Sequence, residues 1–225
     1  EADTVRVYSP PLGKLLRCAS LGSDGGGGAS GGGGGRAWSL RLSSCVQLRG
    51  LDLLCCGGSD GLLRLFSVGR GRVVQSVQSL QPREGGAFAF APVRCLALAP
   101  RALLSGGDGG VLQQWALTPT GLAPAPLRSL GAAPDAASGS AAAAAAAAVL
   151  CVGCVGGAKA EASWWLGASG QKDGTVAVWD VRARDACVWR APVHQDACTG
   201  VGLADGALPP DLRHRSSAIG QCTPT

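Results

Sequence analysis

Few side chains in this sequence could act as acid–base or nucleophilic catalysts. It contains two histidines, His194 and His214, and neither has a nucleophile and an orienting acid at a recognisable spacing. A general base works only within hydrogen-bond reach of such partners. We therefore predict no catalytic residues, and we expect a protein that is not an enzyme.

A single Cys-x-x-Cys motif, Cys151 to Cys154, is the candidate for thiol or metal chemistry. Zinc sites normally need a second cysteine pair or histidine partners, and the apolar residues on both sides of this motif favour a buried strand. The Gly-rich stretch 23–35 lacks the Lys-Ser/Thr pair of a phosphate-binding loop. We therefore predict no metal, no cofactor and no small-molecule substrate, with a thiol or metal enzyme at the two cysteines as a third alternative.

Positive charge is the other feature that could bind a partner. The chain has 20 Lys+Arg against 15 Asp+Glu, a net charge of +5. This excess is spread along the chain, without the basic stripe typical of nucleic-acid binding. Other proteins or peptides are therefore the favoured partners, and RNA stays open but is not favoured. Our candidate interaction surface consists of the turn arginines Arg70, Arg72, Arg182 and Arg184.

Composition and cysteine placement limit the class of protein. A chain of 225 residues, 46% of them hydrophobic, is sufficient for a globular core. Its ten cysteines lie mostly inside apolar runs, which favours small buried residues in a reducing compartment, so we expect an intracellular protein, cytoplasmic or nuclear. Apart from poly-Ala, no apolar run approaches the roughly 20 residues of a membrane span. The start at Glu1 leads us to expect a piece of a longer chain.

Internal repeats are the main structural signal. Three twelve-residue segments align without gaps, at 56–67, 105–116 and 169–180, and a shortened copy lies at 2–9. In each full copy a turn containing Gly precedes β-branched or aromatic residues, a pattern that predicts a β-hairpin. Apolar runs predict the remaining strands, at 38–42, 73–77, 93–99, 149–155 and 186–189.

The spacing of the repeats predicts a larger unit. The closing aromatics are separated by 58, 49 and 64 residues. Without the 13-residue Gly-rich insert and the 18-residue Ala/Gly-rich insert, the separations become 45, 49 and 46. A period of about 40 to 45 residues is that of a four-stranded propeller blade. The aromatics are Tyr8, Phe66, Trp115 and Trp179.

These residues resemble the WD40 repeat family. The last copy ends in a literal Trp179-Asp180, and the stretch 193–203 resembles the Gly-His loop and innermost strand of a following blade. The resemblance implies an all-β, WD40-type β-propeller with about three full four-stranded blades and partial blades at both ends. In the family, a Trp, a Ser or Thr, a His and an Asp of one blade form a hydrogen-bonded structural network.

Carried over by position, this network is incomplete in every blade. Cys56 and Phe66 stand in place of Ser and Trp in one blade, and Gly109 stands at the Asp position of the next. We therefore expect these blades to be less rigid than typical ones. The structural repeat positions are Tyr8, Asp60, Phe66, Ser105, Trp115, Ser169, Asp173, Trp179, Asp180 and His194.

The domain organisation follows from the repeats. We predict a partial blade at 1–22, a Gly-rich insert at 23–35, blades at 36–80, 87–130 and 149–190, an Ala/Gly-rich insert at 131–148, the start of a further blade at 191–206 and an irregular tail at 207–225. Propellers close with roughly four to eight blades. Either the chain is part of a larger ring, or its last strand joins the leading half-blade in a small or open ring.

Such a platform holds partners on its loops while its sheets pack face to face. We therefore predict a non-enzymatic WD40-repeat scaffold that mediates protein–protein interactions within a multiprotein complex. The alternative is a WD40 subunit of an RNA-processing or ribosome-associated assembly. Because a fold does not by itself specify a function, both rest on the family resemblance.

Overall fold

The regular secondary structure of the described residues consists of β-strands. The computed structural model describes residues 4–9, 14–20, 41–48, 51–82, 88–99, 102–131, 147–156, 165–180 and 187–203. Every regular element within these ranges is a β-strand, so the all-β prediction is confirmed for them. The predicted Gly-rich insert 23–35, most of the Ala/Gly-rich insert 131–148 and the predicted tail 207–225 lie outside the described residues.

The strands form two antiparallel sheets of four strands, one of five strands and two hairpins. The leading hairpin is β1 (Thr4–Ser9) and β2 (Lys14–Ser20). Sheet one consists of β3 (Leu42–Leu48), β4 (Leu53–Gly58), β5 (Leu62–Ser67) and β6 (Arg72–Gln78). A small hairpin follows, β7 (Leu80–Pro82) with β8 (Phe88–Phe90).

The other two sheets repeat this chain-order topology. Sheet two consists of β9 (Val93–Ala99), β10 (Ala102–Gly107), β11 (Leu112–Thr118) and an outer position shared by β12 (Gly121–Leu122) and β13 (Arg128–Leu130). Sheet three consists of β14 (Val149–Gly156), β15 (Trp165–Gln171), β16 (Thr175–Asp180) and β17 (Cys187–Pro192).

The turn between the second and third strands is the same in all three sheets. Gly61, Gly110 and Gly174 have φ angles of 77°, 72° and 80°. Each glycine donates its N–H to the carbonyl three residues earlier, at 3.1 Å. Since a side chain is strained at such angles, glycine is needed at this corner. The predicted hairpins are therefore confirmed in all three copies.

Each third strand is irregular at its aromatic residue. The pairing register with the outer strand shifts immediately before Tyr8, Phe66 and Trp179. In sheet two, β13 pairs with β11 before Trp115 and β12 pairs with β11 after it, so neither outer strand pairs with Trp115 itself. Because a β-bulge increases the local twist of its strand, the repeated irregularity gives the sheets a common shape.

The sheets stack in chain order around buried apolar clusters. β9 contacts β3 and β4, and β14 contacts β9 and β10, so the first strands of successive sheets are neighbours. Each large side chain buried in these clusters contributes about 1.5–3 kcal/mol. The core between sheets one and two contains Leu48, Leu53, Cys55, Leu63, Leu65, Val77, Val93, Leu103, Trp115 and Leu122. The core between sheets two and three contains Cys95, Ala99, Ala102, Leu104, Leu112, Leu130, Val149, Ala177 and Trp179.

The leading hairpin belongs to the same stack. Val5 of β1 packs against a cluster built on Cys56 and Phe66, on sheet one. Tyr8 is the fifth residue of β1, as Phe66 is the fifth residue of β5. The hairpin therefore packs beside sheet one.

Glycines set how closely successive sheets approach. A Cβ on Gly57 would lie 2.6 Å from Cγ1 of Val93, the first residue of sheet two. A Cβ on Gly106, the equivalent residue of sheet two, would lie 2.5 Å from Cγ1 of Val149, the first residue of sheet three. Both contacts are too short for real Cβ atoms, so a hydrogen is required at these places.

The strand predicted at 194–203 is wrong, because residues 193–203 carry no strand. The segment bonds instead to the end of sheet three, where the N–H of His194 reaches the Gly174 carbonyl at 3.2 Å and that of Cys198 reaches the Gln171 carbonyl at 3.0 Å. Cys198 lies against Gly170 in the same way that Val93 lies against Gly57. No second strand pairs with this segment among the described residues, and a strand requires such a partner.

The predicted first strand of sheet one is also misplaced. We predict it at 38–42, of which 38–40 lie outside the described residues, whereas β3 runs from Leu42 to Leu48. Two serines hold β3 against sheet two: Ser44 Oγ accepts the N–H of Leu96 at 3.1 Å, and the Ser43 hydroxyl donates to the Val93 carbonyl. These partners lie about fifty residues along the chain, so local pattern did not reveal them.

Candidate interaction surface

Two tryptophan–serine pairs fix the interior of sheets two and three. Trp115 Nε1 donates to Ser105 Oγ, and Trp179 Nε1 donates to Ser169 Oγ, both at 2.9 Å. All four residues are buried. A buried indole N–H needs such an acceptor, because leaving it unpaired costs about 1–3 kcal/mol. In sheet one the buried residues Cys56 and Phe66 fill the same places.

The aspartates lie at their own turns, away from these pairs. Asp60 Oδ1 accepts the N–H of Leu62 at 3.2 Å, and Asp173 Oδ1 accepts that of Thr175 at 2.9 Å. Asp108 instead forms a two-point ion pair with Arg94, at 2.7 Å in both contacts. Asp60 and Asp173 therefore stabilise tight turns, as Asx residues do.

We expect Asp60 to make folding stability depend on acid pH. Burial raises the pKa of its carboxyl, but hydrogen bonds from Arg64 and the Leu62 amide outweigh burial and hold the pKa below its ordinary value. The ionised group stabilises the fold above its unfolded pKa of about 3.9, and this contribution disappears as pH falls through the lower folded value. Between about pH 6 and about pH 2, urea unfolding should therefore show a smaller loss of stability for Asp60→Asn than for the unaltered protein. Equal losses would contradict this role.

The remaining predicted positions are spread over the molecule. Asp180 ends β16 and is buried, where its charge acts on Arg128 of sheet two. His194 is exposed on the segment that follows sheet three. Tyr8 lies on β1, with its side chain outside the described part of the structure, and Arg182 and Arg184 also lie outside the described residues.

Sequence reasoning missed two glutamines that join sheets one and two. Gln75 Nε2 donates to the Leu122 carbonyl at 2.7 Å, while its Oε1 accepts the Leu122 N–H at 3.1 Å. Gln113 is buried and bonds the Ser79 hydroxyl and the Leu80 carbonyl, both at 2.6 Å. For Gln113, its position in a strand between Leu112 and Trp115 was the available signal, since buried amides require partners.

An open groove lies at the ends of sheets one and two. It is formed by the β3–β4 turn, the β5–β6 turn, part of β6 and the β11–β12 turn. Arg70, one of the predicted surface arginines, lies in it, and Arg72 begins the adjacent strand. The lining residues are Asp52, Leu53, Ser67, Arg70, Val74, Gln75 and Thr120.

Asp52 organises the turn that presents Arg70. Its Oδ2 accepts the N–H of Gly69 at 2.6 Å and the hydroxyl of Ser67 at 3.0 Å, and the Ser67 Oγ in turn accepts the N–H of Arg70 at 3.1 Å. The carboxylate therefore holds the turn. Arg70 and Arg72 are exposed and make no ion pair within the described residues.

The Cys-x-x-Cys motif does not bring its two thiols together. Cys151 and Cys154 lie three residues apart on β14, and side chains at odd separations on a strand point to opposite faces. Cys154 packs against the core between sheets two and three, whereas Cys151 donates to the Cys198 carbonyl at 3.3 Å. Among the described residues no group of three or more His, Cys, Asp or Glu side chains is placed to hold a metal.

A search of the described residues for a helix of membrane-spanning length and hydropathy finds none. No protein-family model matches the chain, and no curated protein matches its sequence. Its resemblance to known proteins is therefore a resemblance of fold.

Two solved structures place the fold. A chain in the crystal structure of the mitotic checkpoint complex has a TM-score of 0.58 and 16% identity, over 88% of this chain and 46% of that one. The computationally designed Ika8 protein has a TM-score of 0.56 and 17% identity, over 91% of this chain and 48% of that one. This chain thus spans just under half the length of each. Both similarities, together with the stacked four-stranded sheets, define a β-propeller-like fold.

Proposed function

We propose that the protein is a non-enzymatic WD40-repeat scaffold that binds other proteins or peptides within a multiprotein complex. The observation that carries this proposal is the open groove between sheets one and two, with Arg70 held in it by a structured turn. The similarity in fold to a chain of the mitotic checkpoint complex supports the proposal.

Two features of the groove support binding of a peptide. Gln75 and Asp52 are already engaged by protein partners, whereas the Arg70 guanidinium forms no ion pair among the described residues. Val74 adds an exposed apolar side chain beside it. An unpaired guanidinium next to an apolar surface suits an acidic peptide, because arginine bonds carboxylates at two points.

Charge reversal at the groove tests this proposal. Arg70→Glu combined with Arg72→Glu should weaken binding of the physiological protein partner at least about tenfold, equivalent to about 1.4 kcal/mol. Affinity capture of the tagged protein, with quantitative mass spectrometry, identifies partners, and titration of one purified partner measures the change. Lys172→Glu is the matched control, because Lys172 is exposed at the β15–β16 turn, away from the groove. Equal loss in both variants, or no loss in either, would refute the groove as the binding site.

Salt dependence distinguishes a protein partner from RNA. Binding dominated by phosphate contacts loses affinity steeply as salt rises, by about 10³–10⁵ between about 50 and 200 mM for many contacts. A peptide bound by one or two arginines and apolar surface should change far less. A steep salt slope with bound RNA would favour the RNA-associated alternative over a protein scaffold.

A further inference from the structure

Two cysteines of sheet one face each other across neighbouring strands. Cys45 of β3 and Cys56 of β4 are directly opposite in the register, and their sulfurs are 3.5 Å apart. Directly opposed residues have Cα atoms about 4.5–5.5 Å apart, inside the roughly 4.4–6.8 Å range that disulfides adopt. Side-chain rotation alone can therefore close a bond between them.

The two thiols differ in the way that a redox pair requires. Cys45 is exposed, whereas Cys56 is fully buried. The Cys56 thiol donates to the Cys45 sulfur, which lowers the pKa of Cys45 although its partial burial acts in the opposite direction. The same hydrogen bond and burial raise the pKa of Cys56. An accessible sulfur with a lowered pKa is thus next to a protected thiol that could resolve its oxidised form.

We propose that Cys45 and Cys56 form a redox-active dithiol, which hydroperoxides oxidise to a reversible disulfide between β3 and β4. This modification site is independent of the groove proposed for partner binding, because it rests on the two sulfurs alone.

The chemistry balances with hydrogen peroxide as the oxidant. The Cys45 thiolate attacks one peroxide oxygen, forming an S–O bond and breaking the O–O bond, and the departing hydroxide takes a proton to become water. The Cys56 sulfur then attacks the Cys45 sulfenic acid, so that an S–S bond forms and the S–O bond breaks. The Cys56 proton leaves with the hydroxide as a second water. A small thiol reverses the reaction by thiol–disulfide exchange.

Other cysteines provide internal comparisons. Cys55 lies beside Cys56 on β4, but it belongs to the core between sheets one and two. Cys151 and Cys198 are also close to each other, yet both are buried. Oxidation of a cysteine is favoured by exposure and by a lowered pKa. During peroxide treatment, Cys45 should therefore lose its reactivity towards alkylating reagents at least about tenfold faster than Cys151 or Cys198.

Peptide mapping of the full chain tests the proposal. After peroxide treatment, blocking of free thiols and trypsin digestion, peptide 42–49 should be linked to peptide 50–64 through Cys45 and Cys56, with a mass lower by about 2 Da than the sum of the two. Dithiothreitol should release both peptides. Fragmentation of the linked species separates Cys56 from Cys55, which lies in the same peptide.

Variants assign the roles of the two sulfurs. Cys56→Ser should leave Cys45 as a sulfenic acid that dimedone traps, and Cys45→Ser should leave Cys56 unoxidised. The matched control, Cys198→Ser, should keep the link between peptides 42–49 and 50–64. Linkage of Cys45 to any other cysteine would overturn the proposal. So would full alkylation of Cys45 after a peroxide treatment that has already oxidised the buried thiols. The map of the unaltered protein gives this answer even if Cys56→Ser does not fold.

Discussion

Replacing Trp115 with alanine should lower the free energy of unfolding by about 3–5 kcal/mol, the cost of deleting a large aromatic from a packed core. Its indole is completely buried between sheets one and two, and its N–H bonds the Ser105 hydroxyl. Chemical denaturation with tryptophan fluorescence and circular dichroism measures the change. Trp179→Ala should cost a similar amount, because Trp179 occupies the same place between sheets two and three.

A second pair of variants separates the ring from its hydrogen bond. Trp115→Phe keeps most of the ring and leaves the Ser105 hydroxyl unpaired, so it should cost about 1–3 kcal/mol. Combining it with Ser105→Cys reproduces the Cys56–Phe66 pair of sheet one, and the double variant should lose less than the sum of the two single changes. A loss under about 1 kcal/mol for Trp115→Ala would contradict the burial of this ring between two sheets.

Adding one methyl group at Gly106 should destabilise the protein by about 1–3 kcal/mol through overpacking. The new Cβ would lie 2.5 Å from Cγ1 of Val149 and 2.8 Å from the sulfur of Cys95, so sheets two and three would have to separate. Denaturation of Gly106→Ala measures the cost. Gly200→Ala is the control, because nothing lies within 4 Å of its added Cβ, and it should be close to neutral.

Val149 provides the compensating change. In the double variant Gly106→Ala, Val149→Ala, the valine methyls that obstruct the new Cβ are absent. The double variant should then lose less stability than the sum of the losses in Gly106→Ala and Val149→Ala, as expected for residues in direct contact. Strict additivity, or a neutral Gly106→Ala, would mean that sheets two and three do not approach at this point.

Local chemistry allowed the repeated hairpins to be predicted from sequence. Gly61, Gly110 and Gly174 stand where the chain must turn with positive φ, and a strand-forming run follows each of them. The aromatics that close the copies lie on the third strand of each sheet, Trp115 and Trp179 with the serines ten residues earlier as their acceptors. These features depend on residues close together in the chain, which a sequence pattern can contain.

Features that depend on distant residues were not predicted. β3 was placed too early, because its position is fixed by serine contacts to β9, and the β7–β8 hairpin has no strong turn signal of its own. We predict a strand over 194–203 because these residues resemble the innermost strand of a WD40 blade, but no partner strand among the described residues pairs with them. Residue type alone does not reveal whether a partner is present.

The groove proposed as the interaction surface was not predicted from the sequence. Arg70 was selected as an exposed turn residue, and it lies in the groove, but the groove itself combines turns from two sheets. The repeat does not mark Asp52, which holds the Arg70 turn, because the partners of its carboxylate are one backbone amide and one hydroxyl. The paired thiols of Cys45 and Cys56 became visible only once the register of β3 was known.

Contacts between successive sheets, measured by nuclear Overhauser effects on a methyl-labelled sample, test the propeller-like stacking most directly. The account predicts cross-peaks from the Gly57 Hα protons to the Val93 methyls and from the Gly106 Hα protons to the Val149 methyls, one pair per sheet boundary. Absence of both pairs, with the valine methyls contacting unrelated strands instead, would show that the repeated hairpins do not stack as successive sheets.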